Sequence, residues 1–115
     1  MNLRTAILAA ALVAVVPAVT PVRAAGAQSA ADHVATGDRE RAANPASALR
    51  HYEAALAADA ANYGALWRAS IAAVDAGETT ADAGRQSALY KTGEQYARRA
   101  VQANANDAEG HFALA

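Results

Sequence analysis

The sequence has no cysteine. That removes disulfides, a thiolate metal site, a cysteine nucleophile and the attachment point an exported lipoprotein needs. It also lacks a clustered basic face. Its 10 lysines and arginines are interspersed with 11 acidic residues, so the footprint of a nucleic-acid binder is missing. The uninterrupted apolar run, Ala6 to Val16, falls short of the roughly 20 residues that span a bilayer. Large apolar side chains are few beyond residue 27, and alanine fills the positions between them. A chain of this size can form one small domain, with a thin core.

What the first stretch does contain is an export pattern. A short basic start at Met1 to Arg4 leads into the apolar run. Pro17 and Pro21 follow, and then small residues at Ala24, Gly26 and Ala27. This is the layout of a secretory signal peptide over residues 1–27, with cleavage after Ala27 and a cut after Ala24 as the second choice. Retention as an anchor is the competing reading. Cleavage removes Arg4 and Arg23, leaving 8 basic residues against 11 acidic, a formal charge of −3. The expected product, residues 28–115, is periplasmic or secreted and is not inserted in a membrane.

The remainder reads as helices, favoured by alanine, the best helix former. Gln28 to Ala43 has one large apolar residue, Val34, and is interrupted by Gly37, which predicts a short or frayed helix. Asn44-Pro45 is a clear start signal, a cap followed by proline in the first turn. The helix it opens runs to about Ala58, with Ala48, Leu49, Tyr52, Ala55 and Leu56 on one stripe. Asn62 caps the next, from about Tyr63 to Ala76, with Leu66, Ala69, Ala73 and Ala76 on one side and Gly77 placed to stop it.

After the polar break GETTADAG, Thr80 or Asp82 can cap a long helix from Ala83 to Ala103. Leu89, Tyr96, Ala97, Ala100 and Val101 form its buried stripe, Gly93 marks a close approach, and Arg98 and Arg99 suit its C-terminal end. Asp107 can cap a last helix from Ala108, which is cut short at Ala115. The domain over residues 28–115 is therefore expected to be incomplete at its C-terminus.

Two segments match at an offset of 45. Ala55-Leu56, Asp59, Asn62, Ala65, Trp67 and Ala69 align with Ala100-Val101, Asn104, Asp107, Gly110, Phe112 and Leu114. Such self-similarity indicates stacked helical hairpins, none able to bury its apolar face alone. The pattern resembles the tetratricopeptide repeats. Ala48, Tyr52, Ala55 and Leu56 stand at second-helix landmarks, Leu66, Ala69 and Ser70 at those of the next first helix, and Gly77 at its end.

Three features depart from that family. Ala60 and Ala105 replace the turn proline, Ala73 replaces a large aromatic, and extra residues between Glu78 and Gly93 lengthen the repeat beyond about 34 residues. With LWR at 66–68 and GEQYARRAVQAN at 93–104, the chain is similar to the tetratricopeptide domain of the regulator of microtubule dynamics proteins and their bacterial relatives. The resemblance implies an all-α, short α-solenoid of antiparallel hairpins, longer than this chain.

It also implies a groove. The position after Leu66 looks into the concave face of such arrays, so Trp67, Ile71 and Val74 or Asp75 become groove residues, with Phe112 in Trp67's place in the second copy. An aromatic, an aliphatic and a carboxylate on one face can hold an extended peptide or a helix. The alternative is that Trp67 packs against the Leu89–Tyr96 helix.

Other chemistry is sparse. His33, His51 and His111 form no HExxH or i,i+4 pair, so no metal is expected. Ser29, Ser47, Ser70 and Ser87 lack the context of a nucleophile. Asp38 to Glu40 reads as a solvated face, and Arg98-Arg99 as either a solvated helix end or a hold for an acidic partner. The expected protein is a non-enzymatic scaffold without cofactor, whose partner is a protein, a peptide or another copy of itself. Catalysis would require further sequence downstream.

Overall fold

The computed structural model describes residues 22–106 and 108–115. Most of the expected signal peptide, and the expected cap at Asp107, lie outside them. Within the described residues every element is a helix: α1 (Val22–Glu40), α2 (Pro45–Ala58), α3 (Tyr63–Glu78), α4 (Ala83–Ala103) and α5 (Ala108–Leu114). Each connection is a short turn, which folds a helix back on its predecessor. Consecutive helices pack together, and α5 also reaches back to α3.

The N-terminal helix differs from the sequence expectation. α1 is continuous over 19 residues rather than short or frayed. It docks on α2 through small residues, which carry little hydrophobic signal. Ala30 is buried, and the Tyr52 ring of α2 lies over Gly37. A Cβ at Gly37 would sit 2.5 Å from Tyr52 Cε1, so the ring occupies the space that glycine leaves.

α2 follows its start signal. The Asn44 side chain accepts a hydrogen bond from the Ser47 amide at 3.1 Å, with Pro45 in the first turn. Ala48, Leu49, Tyr52, Ala55 and Leu56 are buried, the stripe read from the sequence. Asn62 caps α3 in the same way, accepting from the Ala65 amide at 3.0 Å. Gly77, however, does not stop that helix. α3 continues to Glu78, no residue has positive φ among those described, and the Tyr90 ring covers Gly77.

α4 opens on Asp82, which accepts from the Arg85 amide at 2.8 Å. Its buried face is narrower than expected: Gly93, Ala97 and Ala100 are enclosed, whereas Leu89, Tyr96 and Val101 are half-buried. The crossing with α3 is tight at Gly93. The Ser70 hydroxyl donates to Gly93 O at 2.7 Å, and a Cβ on Gly93 would lie 3.0 Å from Ser70 O.

α2 and α4 end alike: Asp59 closes α2 at φ −147°, ψ 92° and Asn104 closes α4 at φ −151°, ψ 88°, whereas Thr79 closes α3 at φ −92°, ψ 0°. α4 has 21 residues against 14 for α2. The surplus of about two turns lies at its N-terminal end, where most side chains are exposed. Among the described residues no helix is long and apolar enough to cross a membrane.

Candidate interaction groove

The odd-numbered helices share one side of the molecule, and a trough runs along it. Its larger part, about 630 Å³, lies between the end of α1, the start of α2 and α3, with Asp38, Arg41, Pro45, Trp67, Asp75 and Glu78 among its walls. An apolar hollow of about 510 Å³ adjoins it, formed by Arg41, Trp67, Ile71, Glu109 and Phe112. Arg41 and Trp67 belong to both, so the two form one continuous surface from α1 to α5.

Of the residues anticipated for a groove, Trp67, Ile71 and Phe112 meet in the hollow, and Asp75 stands in the trough. Val74 turns toward α4, its Cγ2 lying 3.2 Å from where a Cβ of Gly93 would stand, and joins Ile71, Asp75 and Phe112 in a depression beside the hollow. Trp67 itself is half-buried. It packs on the buried core, and the Arg68 guanidinium lies 4.2 Å from the centre of its ring system. That distance suits a cation–π contact.

Charged residues that the sequence offered as a solvated face hold the groove together. Asp38 Oδ1 accepts from Tyr52 OH at 2.6 Å and from Arg68 Nε at 3.0 Å, tying α1 to α2 and α3 with one carboxylate oxygen. Burial of the Tyr52 ring, then the hydrogen bond to Asp38 and its negative charge, push the hydroxyl well above its ordinary range. Glu40 accepts from Ser47 Oγ and approaches His51 Nε2 at 3.5 Å. Arg41 Nε, in the turn after α1, lies 3.9 Å from Asp75 Oδ2 of α3.

Opposite the groove, Tyr96 OH donates to Glu53 at 2.8 Å. Burial, followed by that hydrogen bond and the carboxylate charge, pushes Tyr96 up to about 12. Arg98 pairs with Glu94 at 2.6 Å, and Arg99 donates to Ala60 O at 3.0 Å. Each arginine thus has a partner within the chain.

The rings of His33 and His51 stack at 6.1 Å, and a His111 ring nitrogen is 2.8 Å from Ala105 O. Among the described residues no group of three or more metal-ligating side chains converges.

The succession of hairpins has a counterpart among known families. A profile described as regulator of microtubule dynamics protein 1-3 matches residues 28–115. The chain belongs to that family. Neither a curated protein nor a solved structure matches it. In this member of the regulator of microtubule dynamics family, sequence reasoning overlooked Asp38 and Arg41 as groove residues. The sequence marks both only as charged residues near the end of a helix, with no local sign that Arg68 and Asp75 of α3 face them.

Proposed function

We propose that the protein is an exported, non-enzymatic scaffold of tetratricopeptide type that binds a peptide or helical segment of a partner protein in the Trp67 groove. The observation behind this reading is the continuous trough from α1 to α5, with an aromatic–aliphatic hollow at one end and charged walls at the other. Grooves of this kind hold apolar anchors in pockets while polar walls set orientation. The 45-residue spacing of the two matching turns supports the repeat assignment. Export rests on the layout of residues 1–27, and N-terminal sequencing of secreted product beginning at Gln28 is the expected result.

Trp67 is the only tryptophan in the chain, so its emission reports directly on occupancy of the groove. Titration with synthetic peptides carrying a central leucine or phenylalanine is expected to shift that emission. Trp67→Ala should weaken binding of a labelled peptide roughly thirtyfold or more, as loss of an aromatic anchor does, with the far-UV circular dichroism unchanged. Loss of helicity in that variant would instead assign Trp67 to the core.

A second reading is self-association through α5. Phe112 is 75 % exposed and Leu114 37 % exposed, so apolar surface stays uncovered in the hollow and the depression that α5 borders. Sedimentation showing a folded monomer at micromolar concentration would overturn it.

A further inference from the structure

We propose that the segment taken up by this trough is basic, with lysine or arginine side chains flanking the apolar residue that enters the Trp67–Ile71–Phe112 hollow. The inference rests on the groove reading above and adds the chemistry of the occupant. Four carboxylates, Asp38, Asp75, Glu78 and Glu109, face the trough and hollow against two guanidiniums, Arg41 and Arg68. Asp38 and Arg68 pair with each other at 3.0 Å, and Asp38 is further engaged by Tyr52.

The excess negative charge collects at the C-terminal end of α3. Asp75 and Glu78 are three residues apart, which places them side by side on the helix surface. That last turn contains no basic residue. Arg41 reaches Asp75 only at 3.9 Å, and Glu78 has no ion pair among the described residues. The carbonyl end of a helix is itself negative, so both carboxylates stand where the helix dipole disfavours them. A cationic side chain arriving there relieves both repulsions, and an anionic one adds a third. Complementary charge therefore selects a basic segment, while the hollow accepts its apolar anchor.

The test uses the purified protein and three sets of short synthetic peptides without tryptophan. All have a central phenylalanine or leucine, flanked by lysine, serine or glutamate, and Trp67 emission and anisotropy of a peptide label are followed together. Lysine-flanked peptides are expected to bind roughly tenfold or more tightly than glutamate-flanked ones, with the difference shrinking as salt is raised. Combining Asp75→Asn with Glu78→Gln should reduce that preference by roughly three- to tenfold, while serine-flanked peptides still shift Trp67 emission.

Equal affinity for the three sets, or an unchanged preference in the double variant, would overturn the basic-segment inference and leave the groove reading standing. Absence of binding by every peptide would overturn both.

Discussion

Asp38 shows how much a single carboxylate can organise. Its Oδ1 receives both the Tyr52 hydroxyl and the Arg68 guanidinium, so α1, α2 and α3 meet at one oxygen. Tyr52→Phe keeps the buried ring and removes only the donor. It should cost about 1–2 kcal/mol, since the acceptor is charged but still holds Arg68, and urea unfolding would measure it. The same hydroxyl gives a pH signature. Tyr52 and Tyr96 both hold their protons more firmly when folded than at the ordinary 10.0. Their contribution is complete below that value and is lost as pH rises toward about 12 for Tyr96, and higher for Tyr52. The urea midpoint should therefore fall above pH 10, and less steeply in Tyr52→Phe than in the parent. Asp38 was hard to find by sequence because its partners lie 14 and 30 residues away. Local pattern shows that a residue is charged, not which helix will face it.

At the scale of the element, legibility followed side-chain size and capping chemistry. α2 could be read almost to the residue, because Asn44-Pro45 marks its start and Leu49, Tyr52 and Leu56 mark its buried face. α1 could not, because Ala30 and Gly37 are what it buries. A glycine lowers helix propensity by about 1 kcal/mol, yet here it makes room for Tyr52. Gly77 misled in the same way, since a glycine near a helix end and a glycine beneath an aromatic ring look alike in sequence. The expectation of close approach at Gly93 did hold, and it carries a prediction. Gly93→Leu would force α4 away from the Ser70 carbonyl and from Val74, 3.0 and 3.2 Å from the new Cβ. Such overpacking typically costs about 1–3 kcal/mol. Thermal melting followed at 222 nm should register it as a lower midpoint, whereas simple gain of helix propensity would raise the midpoint.

For the molecule as a whole, the groove was legible as a set of residues but not as a shape. Trp67, Ile71 and Phe112 line one hollow between α3 and α5, and Val74 lines the depression beside it with Ile71, Asp75 and Phe112, where α4 also contributes. If α5 mediates contact between copies, the melting temperature should rise with protein concentration, and Phe112→Ser should abolish that rise without changing the melt of the dilute protein. A concentration-independent melt in the parent would exclude it. The core beneath all this is mostly alanine: Leu49, Tyr52, Leu56 and Leu66 are the only large apolar residues buried among those described. Small side chains bring helix backbones close together, and that closeness has a genetic consequence. Every alanine codon becomes a valine codon by one C-to-T transition. Random mutagenesis of this gene should therefore find its most frequent route to loss of function at Ala55, Ala69, Ala73 or Ala97, where all the space is already filled, rather than at the few large residues that a conventional reading of the core would nominate.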